Sequence, residues 1–340
     1  MPPPALTRYR RELDEYLESL LDRVHPLTLD RMIRYHLGWQ NADGAPSDNR
    51  GKALRPSLCM LACEAAGGDP IAALPSAAAV EFVHNFSLLH DEIQDHDRVR
   101  HHRPTVWTIW GEAQAINAGD ALLALARLAV LRVEPGDGND ASALDSAQAL
   151  DELTLEMVEG QVMDLEFEDT FDVDVTAYLT MVEKKTGALF DCSMRLGALA
   201  AGAGQDVADR LGRSGRLMGL AFQIRDDMLG IWGVETRTGK EVAADIRRRK
   251  KTLPIVYALS LSDEVVGRRV RDGYSAEVVS EQGVSDILSS LDGISAQQYC
   301  AELASEKRDE SLVELKNSGL SGNAADELSD VVNFLLERDY

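Results

Sequence analysis

Two short acidic stretches hold the side chains with most to offer chemically: Asp91-Glu92-Ile93-Gln94-Asp95, and Asp226-Asp227. Carboxylates held on a rigid scaffold suit a hard divalent cation such as Mg²⁺, which takes oxygen ligands, keeps several waters and is commonly completed by phosphate. Chance sets the baseline. With 57 Asp+Glu in 340 residues the acidic frequency is about 0.17, so a fixed pattern of three acids arises roughly once or twice at random. The surroundings raise the signal. Helical periodicity puts His84, Leu88, Asp91 and Asp95 on one stripe of an otherwise apolar segment, and the basic run RVRHHR follows at 98–103. In LAFQIRDDMLGIWG, residues 220–233, the spacing predicts that Gln223, Asp226 and Asp227 share a face of a second apolar helix, where an uncompensated charge is costly. Two such faces could clamp a diphosphate through metal ions. The rival reading is that both are solvated faces of an acidic protein.

The elements that must carry these residues read as helices. Long segments rich in Ala, Leu, Met, Glu and Arg are separated by breakers: GGDP at 67–70, EPGDGND at 134–140, EDTFDVD at 168–174, SLSDE at 260–264 and NSGLSGN at 317–323. Between them apolar residues recur at three- and four-residue spacing, as in Val80, Val83, Phe86, Leu88 and Ile93. Alternating runs bounded by hairpin turns are missing, and no period of 20–50 residues repeats, so an all-α protein of ten or more helices is expected rather than a solenoid.

Composition narrows the partners. With 45% hydrophobic and 27% charged residues the chain is expected to bury a real core. A formal charge of −22 repels polyanions, which argues against nucleic acid, and any anionic substrate needs a local basic site or metal ions. No uninterrupted apolar stretch approaches the ~20 residues of a transmembrane helix. The start of the chain, MPPPALTRYRRELDEYL, offers no apolar core of a signal peptide, so a cytoplasmic protein without a transmembrane segment is expected. Four cysteines, Cys59, Cys63, Cys192 and Cys300, are too few for a disulfide scaffold and read as core packing.

Seven blocks in order, GKALRP at 51–56, FVHNFSLLHDEIQDHDRVRHHRPTVW at 82–107, AGDALLA at 118–124, EGQVMDL at 159–165, EKKTGALF at 183–190, FQIRDDMLG at 222–230, and TGK at 238–240 with KKTLP at 250–254, carry a resemblance to the trans-isoprenyl diphosphate synthases, or polyprenyl synthetases. The resemblance spans about residues 45–260. It implies one all-α domain over residues 1–340, a helical bundle around a deep central cavity, and head-to-tail condensation of isopentenyl diphosphate with an allylic diphosphate. Matched motif by motif, Asp91 and Asp95 would hold two Mg²⁺ ions and Asp226 a third. Arg100, Lys185, Lys240 and Gln223 would contact the allylic diphosphate, with Lys251 nearby and Thr186 lining the carbocation side. Lys52, Arg55, His84 and His101 match positions that bind isopentenyl diphosphate. A homodimer is also implied.

Three positions depart from the family pattern. Glu92 stands where Asp is usual, at a position that is generally not a direct ligand. Gly230 replaces the last Asp of the second acidic motif, which would act mainly through water, so metal binding should weaken without disappearing. His101 replaces the second of two arginines and lacks the permanent bidentate charge of guanidinium. The side chains four and five residues before Asp91, Ser87 and Phe86, match the floor of the family's product cavity. Small Ser87 would admit a fifteen-carbon chain and Phe86 would stop it soon after, which points to a twenty-carbon product, geranylgeranyl diphosphate. A terpene cyclase that retains only ionisation, and a non-catalytic partner subunit, are the competing expectations.

Overall fold

The computed structural model describes residues 3–132, 140–233, 242–261, 264–276 and 278–337. The fold is all-α, as expected. In chain order the helices are α1 (Arg10–Leu21), α2 (Leu27–His36), α3 (Leu54–Ala65), α4 (Leu74–Gln94), α5 (Val106–Trp110), α6 (Glu112–Val130), α7 (Asp140–Glu168), α8 (Val175–Val182), α9 (Ala188–Ala200), α10 (Gln205–Trp232), α11 (Ala244–Arg247), α12 (Leu253–Ser260), α13 (Glu264–Ser275), α14 (Glu281–Gly293), α15 (Ala296–Asn317) and α16 (Asn323–Glu337). Among the described residues the one sheet is a hairpin of two-residue strands, β1 (Val99–Arg100) and β2 (Arg103–Pro104). The breakers at 67–70, 168–174 and 317–323 fall between helices, because their Gly and Asp residues favour turns and caps over helix interiors. Asp174, for instance, caps α8 by accepting from the Ala177 N–H at 2.8 Å.

The chain gathers into two compact units, each built from three separate stretches: residues 1–152, 192–211 and 320–328 in one, and 153–191, 212–319 and 329–340 in the other. At the centre of the first lies α4, packed along α6 and against α3. Its apolarity runs round most of its circumference because most of that surface is covered; Ala77, Val80, Phe82, Val83 and Leu89 are fully buried. Burying each large side chain of this kind contributes roughly 1.5–3 kcal/mol. The segment Pro70–Gln94 is also long and apolar enough to cross a membrane, and 56% of its most apolar window is buried inside the protein, the burial expected of a core helix. All four cysteines are free and buried, and Cys59 and Cys63 lie in the core of α3.

The second unit packs α8, α10, α12 and α15 around Tyr178, Met181, Ile224, Met228, Leu253 and Val256. Between α8 and α9 the helix widens into a π-helical turn, Glu183–Gly187, within the KKTG motif. Such turns insert a residue without ending the helix, and they redirect side chains at functional sites.

Candidate active site

In the first unit the acidic motif occupies the last turn of α4. Asp91 is half-buried, Asp95 one turn later is exposed, and the helix ends because His96 adopts a left-handed φ of 53°. Glu92, a hundred degrees round the helix from Asp91, turns inward and is 2% exposed. Its Oε1 lies 3.9 Å from Arg100 Nε, while its Oε2 is buried without a hydrogen-bond partner among the described residues. Burial pushes the Glu92 carboxyl up to about 7, against the opposing pull of Arg100.

Arg100 reaches this place on the β1–β2 hairpin. His101 and His102 form the two-residue turn, with φ of 48° and 61°. Both are left-handed, a geometry usually filled by Asn-Gly and costing a β-carbon residue roughly 1–2 kcal/mol. The flanking strands are anchored firmly enough to impose it. Tyr35 donates to the Pro104 carbonyl at 2.6 Å, Arg103 donates to the Gln40 carbonyl at 3.0 Å and stacks over the Tyr35 ring at 4.1 Å, and Trp107 Nε1 donates to the Asp97 carbonyl at 2.8 Å.

Behind the hairpin, Arg55 Nη1 donates to His84 Nε2 at 3.3 Å, which leaves the His84 Nδ1 position to carry the proton. Burial, with Arg55 and Arg100 close by, holds His84 well below its ordinary pKa, so it is neutral. His36, at the end of α2, belongs to the same cluster. Burial and the charges of Arg100 and Arg103 push it down to about 3, and its Nε2 is buried without a hydrogen-bond partner among the described residues. One turn after Phe86, His90 meets its ring edge-on at 4.8 Å, and Phe86 is 8% exposed. Ser87, half-buried, donates to the His84 carbonyl at 2.8 Å.

The second unit holds the other set. Lys185 and Thr186 sit in the π turn, which the surrounding helices grip at three glycines. A β-carbon on Gly160 would collide with the Lys185 backbone nitrogen and lie 2.7 Å from its Cα, one on Gly219 would lie 2.9 Å from Gly187 Cα, and one on Gly187 would meet Leu220 at 3.1 Å. Lys185 Nζ pairs with Asp164 at 2.5 Å, and Thr186 donates to Gln223 Oε1 at 3.2 Å. Gln223 in turn donates to Asp227 at 3.0 Å.

Asp226 and Asp227 do not share a face, contrary to the expectation from spacing. Adjacent residues differ by a hundred degrees on a helix, and the apolar surroundings take one of them inward. Asp227 is 3% exposed and accepts from Tyr178 Oη at 2.6 Å and the Leu253 N–H at 3.1 Å as well as from Gln223. Burial pushes it up to about 7, although those three hydrogen bonds pull the other way. It is a structural carboxylate joining α10 to α8 and α12. Asp226, its neighbour, is half-buried.

Lys251 Nζ donates to the carbonyls of Phe167 (2.5 Å), Glu168 (2.7 Å) and Thr170 (2.5 Å), at the end of α7 and the following turn. Lys52 is exposed on the segment before α3, and Lys240 lies outside the described residues. Sequence reasoning missed His36, Asp164, Tyr178 and Asp227's structural role. Asp164 at least lies in a block that carried the resemblance; His36 and Tyr178 carry no local signal. An open groove of about 910 Å³ elsewhere in the second unit, lined by Glu302, Glu306, Asp309 and Glu310 among others, contains none of the expected site residues, and its charge is wrong for an anion.

The donor type fits Mg²⁺: Asp91, Asp95 and Asp226 offer oxygen alone.

The family model described as polyprenyl synthetase matches residues 45–291. Over 340 residues the chain is 38% identical to a (2E,6E)-farnesyl diphosphate synthase of Mycobacterium tuberculosis H37Rv, covering 98% of this chain and 93% of that one. Over 260 residues it is 44% identical to a geranylgeranyl diphosphate synthase of the same organism, covering 76% and 73%. Its fold matches a crystal structure of a polyprenyl synthetase from Streptomyces coelicolor A3(2) with a TM-score of 0.91 at 35% identity, covering 98% and 99% of the two chains.

Proposed function

The chain belongs to the polyprenyl synthetase family, a prenyltransferase that elongates prenyl diphosphates, and from that premise we propose that it condenses isopentenyl diphosphate with an allylic diphosphate to make geranylgeranyl diphosphate. The observation that carries this reading is the joined pair Arg55 and His84 beside Arg100 in the first unit. An enzyme that only ionises its substrate has no need of a second anion site, so this cluster favours condensation over cyclisation. A single catalytic domain over residues 1–340 is part of the proposal: neither compact unit is contiguous in sequence, so neither can be excised as one piece.

In this reading Asp91, Asp95 and Asp226 would hold three Mg²⁺ ions, which would supply charge neutralisation to the leaving diphosphate. Arg100 and Lys185 contact the allylic diphosphate directly, Lys185 exchanging Asp164 for phosphate oxygen. Gln223 keeps one N–H after bonding Asp227 and presents it to the same group. Lys52, Arg55, His84 and His101 bind isopentenyl diphosphate through cations and imidazole N–H groups. After the new C–C bond forms, the released diphosphate takes the proton. Exposed apolar side chains on α6 and α7, among them Leu128, Leu155 and Val162, support a homodimer.

Product length tests the finer claim. The chain is incubated with isopentenyl diphosphate, farnesyl diphosphate and Mg²⁺, and the dephosphorylated products are separated by chromatography. A twenty-carbon alcohol is expected, with Phe86→Ala lengthening it and Ser87→Phe shortening it to fifteen carbons. Failure to extend farnesyl diphosphate, while shorter primers are extended, overturns the product assignment. A cyclic hydrocarbon identifies a cyclase, and absence of any product a non-catalytic subunit.

A further inference from the structure

Lys52 is exposed, yet the main chain that carries it is held on both sides. Before it, the Gly51 carbonyl accepts from Arg10 Nη1 of α1 at 2.6 Å. After it, Ala53 is buried in a left-handed conformation, φ 48°, and its carbonyl accepts from the Ser57 N–H of α3 at 3.1 Å. The chain leading in is pinned to the end of α2 as well: the Ser47 N–H donates to the Trp39 carbonyl at 2.8 Å and the Asn49 N–H to the Gly38 carbonyl at 3.0 Å.

The grip from α1 is built around a carboxylate. Asp14, 9% exposed, accepts from Arg10 Nε at 2.9 and 3.1 Å and from Arg50 Nη1 at 2.6 Å. Arg10 thus uses the fixed fork of its guanidinium to bridge the helix and the segment, Nε to Asp14 and Nη1 to the Gly51 carbonyl. Through Arg50, Asp14 also ties down the residue before Gly51. Solvent-exposed ion pairs fix little, whereas a carboxylate this far withdrawn from water must keep its partners. The charges of Arg10, Asp14 and Arg55 all act on the carboxyl of Glu81 on α4, so the α1 pair stands in the same neighbourhood as Arg55, which in turn meets His84.

We propose that Arg10 and Asp14 are positioning residues for isopentenyl diphosphate: from α1 they set the direction in which the Gly51–Ala53 main chain presents Lys52. This rests on the reading of Lys52 as a contact to that substrate. Both residues act through Lys52, and neither lies in a block that carried the resemblance. A lysine ammonium stands on a flexible four-carbon stem. Fixing the root of that stem leaves less to be ordered when the diphosphate binds, so the gain falls on affinity for one substrate and not on the chemical step.

The test is steady-state kinetics on the full-length protein, with isopentenyl diphosphate and geranyl diphosphate varied in turn and melting temperatures measured alongside. Arg10→Met should raise the Michaelis constant for isopentenyl diphosphate about tenfold, with turnover and the constant for the allylic substrate held within about twofold. Asp14→Asn, which keeps the shape, should show the same selective rise. A role confined to stability would lower both melting temperatures without this split. In a Lys52→Ala background Arg10→Met should have no further effect, because the group it positions is gone. The proposal is overturned by an unchanged constant for isopentenyl diphosphate in either variant, by a rise shared equally between the two substrates, or by a full further rise on top of Lys52→Ala. Lys52→Ala separates the levels: an unchanged constant there rejects the reading of Lys52 itself, whereas a raised constant there with none in Arg10→Met rejects the positioning alone.

Discussion

Two histidines in the first unit make opposite demands on charge. His101 sits exposed at the tip of a strained hairpin, on the spot where the family pattern places a second arginine. His101→Arg should lower the Michaelis constant for isopentenyl diphosphate more than that for the allylic substrate, because guanidinium offers a permanent bidentate contact. Steady-state kinetics with each substrate varied in turn reads this, and a change confined to the allylic substrate would remove His101 from that site. His36 is the reverse case, buried and neutral. Its pKa of about 3 lies below the ordinary value near 6.5, so the unfolded chain binds a proton that the folded chain refuses. The stability it contributes is present above about pH 6.5 and is lost as pH falls toward 3. From pH 8 to pH 5 the loss is about 2 kcal/mol. Urea unfolding at the two pH values should show the wild type losing about 2 kcal/mol more, or gaining that much less, than His36→Gln.

Elements aim side chains that the motif only names. The π turn Glu183–Gly187 puts Lys185 against Asp164 and Thr186 against Gln223, and it exists because three glycines let α7 and α10 approach its backbone. At Gly160 the neighbour is the Lys185 main chain, which cannot swing aside as a flexible side chain would. Gly160→Ala should therefore cost roughly 1–3 kcal/mol by overpacking and displace Lys185, lowering turnover together with the melting temperature. If calorimetry and turnover both match the wild type, the grip on the π turn is not what positions Lys185. Lys251 donates to carbonyls at the end of α7, so its replacement by Met should lower the melting temperature.

For the whole molecule, a charge of −22 sets a repulsive background for any diphosphate, which the proposed contacts Arg55, Arg100 and Lys185 would have to outweigh locally. Apolar side chains left in solvent are the other whole-molecule feature. Leu155, Val158 and Val162 fall at i, i+3 and i+7 along one exposed side of α7, and burying such a stripe is the ordinary drive for association. Leu155→Glu with Val162→Glu should convert a dimer into a monomer in sedimentation equilibrium at micromolar concentration. A wild-type chain that sediments as a monomer would remove the dimer from the proposal.

The all-α class was legible because helical periodicity and breaker residues are properties of neighbouring positions, and the ordered motif blocks singled out Asp91, Asp95, Arg55, His84 and Lys185 without any coordinates. What tertiary structure decided was direction. Which of Asp226 and Asp227 turns inward depends on Tyr178 and the Leu253 N–H, 49 and 26 residues away in sequence. The Lys251 ammonium is claimed by carbonyls more than 80 residues earlier, and the Gly51 carbonyl beside Lys52 by Arg10 on α1. His36 joins the cluster around His84 only through the arginines on the hairpin beyond α4. Local spacing encodes which face of a helix a residue occupies. The partner waiting at that face comes from distant sequence, and hydrogen bonding and burial there settle whether the same side chain holds the fold together or meets the substrate.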